Sequence, residues 1–165
     1  MTRHFLCDFP CRSARISLVV VVAALAVGLA CPITAGKEIN KSFFGGTAIE
    51  GIDPVAYFTD GRLVKGSPQH EARWMETKWQ FASAANRAAF IAEPEKYAPQ
   101  FGGCCAWAVS RGCTASIDPE AWTVHGGKLY LNYSKSVRAQ WAEDISGNIA
   151  KGEANWPAIR AKLAK

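Results

Sequence analysis

Histidine is scarce in this chain: there are three in 165 residues, at His4, His70 and His125. No His-x-x-x-His pair occurs, and beyond position 35 no Cys-x-x-Cys pair either, so no metal site is announced by local spacing. A Gly-x-Ser-x-Gly elbow and a phosphate-binding loop are also missing. Their absence leaves no motif for acyl or phosphoryl transfer, and an enzyme is not expected. No internal repeat and no low-complexity tract is visible. Lysine and arginine number 19 and acidic residues 14, with no basic stripe, so nucleic acid is not an expected partner.

An apolar run without charge extends from Ile16 to Ala30. Arg3, His4, Arg12 and Arg15 precede it, and small residues ending at Thr34-Ala35-Gly36 follow. This is the layout of a secretory signal peptide over residues 1–35. Fifteen residues fall short of the roughly 20 that cross a bilayer. An uncleaved anchor is the other reading. A cut after Ala35 leaves 130 residues with 16 basic and 13 acidic side chains, a net charge of +3. A lipoprotein-type cut before Cys31 fits less well, because Gly28 stands where leucine is usual. The expected product is periplasmic or secreted, with no membrane span once the signal is gone. It is one domain by size, large enough to bury a core without a disulfide framework.

Residues 36–46 read as a flexible lead-in and 47–165 as the folded domain with a helical extension at its C-terminus. Val55 to Phe58 is a short apolar run stopped by Thr59-Asp60-Gly61, a turn signal. Arg62 to Lys65 reads as a short strand. Glu71–Met75 and Lys78–Phe81 alternate and predict a hairpin turning at Glu76-Thr77. Ser83 predicts an N-cap for a helix over Ala84 to Ala92, and Pro94 starts a turn through Tyr97. Phe101 to Ser110 reads as helix. Trp122–Val124 and Lys128–Tyr133 flank His125-Gly126-Gly127, the clearest hairpin. Ser134 caps a helix from about Lys135 to Glu143. Asp144 to Lys165 reads as helix interrupted near Trp156-Pro157. The expected fold class is α+β, a small antiparallel sheet with several short helices packed on it.

The motifs Gly51-Ile52-Asp53-Pro54-Val55-Ala56-Tyr57-Phe58, Phe81-Ala82-Ser83, Pro94-Glu95-Lys96-Tyr97, Gly102-Gly103, Cys105-Ala106-Trp107-Ala108-Val109-Ser110, Asp118-Pro119-Glu120-Ala121-Trp122 and Lys128-Leu129-Tyr130-Leu131-Asn132-Tyr133 follow one another along the chain. Together they resemble the YHS domain, a module of copper-pumping ATPases and other metal-handling proteins. The closer likeness, from about Gly45 to Trp156, is to exported bacterial proteins with little besides this domain. The resemblance implies metal ligation by cysteines after Asp-Pro-Val and in a Phe-Cys-Ser-x-x-x-Cys-like stretch. Those points are Ala56, Ala82 and Asn86 here, and neither alanine nor a neutral amide suits copper or zinc.

Two functions remain open. One is soft-metal binding or handling, copper-type, through Cys105 with His125, Cys104 or Cys113 as further ligands. Cys105 follows two glycines and matches the cysteine that such exported proteins carry. Its bland reading is a small buried hydrophobe, and His125 equally reads as an exposed turn residue. Cys113 paired with Cys104 or Cys105 in a disulfide is the competing use of these thiols in an oxidising compartment. A Cys105/His125 dyad is the only enzyme-like idea. His70 lies in a polar loop and is a weaker ligand candidate. The second function is a non-catalytic binding module, with a small ligand or a protein partner in a groove lined by some of Tyr57, Trp74, Trp79, Trp107, Trp122, Tyr130 and Tyr133. Asp53 reads as a turn residue or as part of a polar pocket.

Overall fold

The computed structural model describes residues 46–163. The expected signal peptide, Cys31 and nearly all of the lead-in lie outside the described residues. The elements are α1 (Ala56–Thr59), β1 (Ser67–Trp74), β2 (Thr77–Phe81), α2 (Ala84–Ala92), α3 (Pro94–Tyr97), α4 (Ala106–Ser110), β3 (Asp118–His125), β4 (Lys128–Asn132), α5 (Lys135–Ala142) and α6 (Ile145–Leu163). The class is α+β, as expected. The strands form two separate antiparallel hairpins, β1–β2 and β3–β4, rather than one sheet.

Serine caps fix two helices where expected. Ser83 Oγ accepts from Asn86 N at the start of α2, and Ser134 Oγ accepts from Val137 N at the start of α5. Three expectations are corrected. The first hairpin turns at Met75-Glu76, one residue early, with both residues at positive φ (48° and 57°). That is the geometry of a tight hairpin turn, and it leaves Thr77 as a buried strand residue. Arg62 to Lys65 is no strand; Lys65 alone makes an isolated bridge, to Ile52. Pro157 does not interrupt α6. Its ring is exposed, while Trp156 and Ile159 hold the helix against the core.

A repeat that the residues conceal is plain in the backbone. The second hairpin and its helix lie 51 positions after the first: Ser67 and Asp118, Thr77 and Lys128, Ala84 and Lys135. Strand registers agree, with an irregularity between Ser67 and Glu71 in one and between Asp118 and Trp122 in the other. The 3-10 turns Ile49–Gly51 and Phe101–Gly103 precede each unit, with all three residues at positive φ in both. Loop bonds repeat as well. Ala48 N donates to Lys78 O, and Gln100 N donates to Leu129 O, both at 2.8 Å. Asp53 N donates to Val64 O (2.9 Å), and Cys105 N donates to Ala115 O (3.2 Å).

The two halves share buried surface. Tyr57 donates to Pro119 O at 2.9 Å and packs on Trp122 with ring centroids 5.1 Å apart. One apolar cluster centres on Trp79, Phe81 and Phe90 and takes in Leu129 and Leu131. The other holds Phe101, Tyr130, Trp141 and Ile159. No helix among the described residues is long and apolar enough to cross a membrane.

Candidate functional site

Asp53 ends the loop before α1 and is fully buried (0 % exposed). One carboxylate oxygen accepts from Val55 N at 2.9 Å, the local turn bond expected of aspartate. The other accepts from Ala82 N at 2.8 Å and from the Asn86 side-chain amide at 2.7 Å. Two of the positions where the resemblance places cysteines, Ala82 and Asn86, thus converge on one carboxylate. Ala56 is buried just after it. Three donors satisfy the buried anion without a cation, which makes this point a latch between loop, strand and helix.

Cys105 holds the equivalent seat in the second half. Its side chain is buried (1 % exposed) at the start of α4. The thiol lies 3.7 Å from Asn132 Oδ1, which also accepts from Trp107 N at 3.1 Å. Burial pushes the Cys105 thiol up from its ordinary pKa. The backbone N–H groups of Ala108, Tyr133 and Trp107 pull it partly back. The balance favours the thiol over the thiolate that binds metals or attacks carbon. Asn132 is buried, and its Nδ2 has no acceptor.

The other proposed ligands are placed apart by role. Cys104 is buried in the second apolar cluster. Cys113 is half-buried and donates to Ala108 O at 3.4 Å. No disulfide joins Cys104, Cys105 and Cys113. His125 is the last residue of β3, paired with Lys128, and is exposed. It borders a hollow of about 290 Å³ with Tyr130, Ser146 and Glu153. His70 lies half-buried within β1. Among the described residues, no three His, Cys, Asp or Glu side chains form a group that could hold a metal ion. A copper-type ion needs converging soft ligands, and this arrangement does not fit one.

The larger concavity, about 680 Å³, opens at the seam between the halves. Trp74 and Met75 come from the tip of the first hairpin, Gly126 and Gly127 from the tip of the second. Phe101 lies between them, and Trp156 comes from α6. Met75 is the exposed lip. Trp79 backs the wall, its indole N–H bound to Trp74 O at 3.2 Å. Phe101 and Trp156 meet at a centroid distance of 5.8 Å. Lys96, Lys128 and Arg160 bring positive charge to the lining, and Glu95 negative. Trp74 and Trp79 were legible as groove candidates. Phe101, Trp156, Lys128 and Arg160 were not, because β4, α6 and the turn before α4 meet at the seam only in three dimensions.

Comparison with protein-family models, with curated proteins and with solved structures finds no match to this chain.

Proposed function

We propose that this chain is a non-catalytic binding module of YHS-like character, exported, which takes its ligand in the seam between its two halves. The observation that carries this reading is the open, aromatic-walled concavity of about 680 Å³. Its volume falls among those of small-molecule sites, roughly 300–1,000 Å³, and such sites favour junctions between structural units. Metal handling through Cys105 draws no support from a buried thiol bonded to an amide. Nor does a Cys105/His125 dyad, since one side chain is buried and the other exposed.

A fragment screen followed by amide and indole NMR shifts tests the assignment. Fragments that bind should move Gly102, Gly126, Gly127 and the Trp74 and Trp156 indoles together. Trp156→Ala should weaken those fragments roughly tenfold, the scale of one lost aromatic wall. Binders that shift only distant residues, or a library with no binder at millimolar concentration, would overturn the assignment.

A further inference from the structure

The seam is lined by three cationic side chains and one carboxylate, and their placement bears on what it accepts. Lys96 belongs to α3, Lys128 to the first position of β4, and Arg160 to the last turns of α6. Glu95 is the single acidic residue of the lining. Arg160 has a partner of its own; Glu93 lies 3.2 Å from Lys96 and Glu153 lies 3.8 Å from Lys128, both carboxylates outside the lining. All four of these side chains are about half exposed. Ion pairs so solvated contribute little, so an incoming carboxylate can displace either at small cost. The lining also carries aromatic side chains: Trp74 and Trp156 are half-buried, and Phe101 is buried. At the tip of the second hairpin, a side chain on Gly126 or Gly127 would meet only open space. Nothing there obstructs a planar group entering from solvent.

Resting on the binding-module reading above, we propose that the ligand is a small aromatic carboxylate. Its ring lies against Trp74 and Trp156, the two partly exposed aromatic side chains of the lining. Its carboxylate is held by Lys128 and Arg160, with Lys96 at the other rim. The match is of charge sign and of shape together: aromatic faces supply area without fixing polarity, while the cations select the anion. Lys128 and Arg160 both approach from the side of the second half. That places the carboxylate at the β4–α6 edge and the ring toward the first hairpin.

The test uses the full chain and three probes of nearly one shape: indole-3-acetate, the neutral indole-3-acetamide, and cationic tryptamine. Binding is read by NMR shifts at Gly102, Gly126, Gly127 and the tryptophan indoles. The acetate should bind at least roughly tenfold tighter than the amide, the weight of one charge-assisted contact. Tryptamine should bind weakest. In Lys128→Gln and Arg160→Gln, both near the surface, acetate should fall toward the affinity of the amide, while the amide itself is unchanged. Raising salt should narrow the same gap. Equal binding of acetate and amide in the seam, or a preference for tryptamine, overturns the carboxylate and leaves the seam as a neutral aromatic site. Failure of all three probes to move the seam residues overturns this inference, while the binding-module reading falls only if the fragment library finds no binder in the seam either.

Discussion

Strand β2 of the first half is buried on one face and strand β4 of the second half on both. In β2 only alternate residues, Thr77, Trp79 and Phe81, are buried, while Lys78 and Gln80 reach partly into solvent. In β4 the four residues from Leu129 to Asn132 are all buried. Leu129 and Leu131 join the core of the first half, and Tyr130 faces Trp141 and Ile159. β4 is covered by α3 from the side of the first half and by α4 and α5 of its own half, which makes it a central wall. The helix after α5, α6, is far longer than α3, the helix after α2, and packs on α4. The seam then has a floor that the first half alone could not supply, since Trp156 and Arg160 both come from α6.

The halves also show how one backbone plan carries opposite chemistry. Asp53 and Cys105 occupy matching seats, each anchored through its N–H to the loop before the hairpin. The carboxylate recruits Asn86 from the helix. The thiol has Asn132 from the strand. Val137 stands where the repeat would put Asn86, and Phe81 where it would put Asn132. The polar partner has moved from helix to strand, and a charge has been exchanged for a weak donor.

The largest effect expected from breaking this comparison is at Asp53. Asp53→Ala leaves Val55 N, Ala82 N and the Asn86 amide without their acceptor in a buried setting. Three lost charge-assisted bonds should cost about 4 kcal/mol, measured as a fall in urea midpoint with unchanged m-value. Cys105→Ala removes only weak sulfur contacts, to Asn132 Oδ1 and to backbone N–H groups, and should cost clearly less. If the two variants lost stability equally, the carboxylate would not be the tighter latch.

Both capped helices were legible because Ser83 and Ser134 act locally, within three residues of each cap. The repeat was not, because its conserved feature is a set of backbone bonds that many side chains permit. Asp53 and Cys105 share conformation and no chemistry, and Ile49 and Phe101 share, beyond conformation, only that both are apolar and buried. The turn at Met75-Glu76 was misplaced by one residue because neither residue is the glycine that such a turn favours. The continuity of α6 depends on packing across the seam, which no local rule about proline contains. Cys105 and His125 were nominated as partners from residue type, the two glycines before Cys105, the hairpin tip at His125 and the family resemblance, none of which fixes side-chain direction. Whether a side chain points inward is decided by the strand and loop that carry it, and these two point to different environments. Asp53 was legible as a turn residue, but its bonds to Ala82 and Asn86 span the fold and leave no local trace.

Alkaline pH should separate the halves next. Burial raises the Cys105 pKa in the folded protein, so the folded state holds this proton more tightly than the unfolded chain does. The contribution is complete below the unfolded thiol value, about 8.5. It is lost as pH rises through the folded value. Unfolding free energy should therefore decline above about pH 8.5, and Cys105→Ala should flatten that part of the curve. An unchanged alkaline slope in the variant would mean that the thiol is not the group holding the proton.

The smallest expected effect concerns the two hairpin turns. Met75 and Glu76 adopt φ of 48° and 57°, while Gly126 and Gly127 adopt 57° and 72° at the matching turn. Side chains at such angles are strained where glycine is not. Replacing Met75-Glu76 by Asn-Gly should make the first turn as relaxed as the second and raise stability by about 1 kcal/mol. Part of the gain is offset because glycine adds freedom to the unfolded chain. The converse change, Gly126→Val with Gly127→Val, should destabilise by more, since β-branched residues are the least tolerant of positive φ. Thermal midpoints of the two variants against the parent decide it. A turn that gains nothing from Asn-Gly would show that Met75, at the lip of the seam, contributes packing that outweighs its strain.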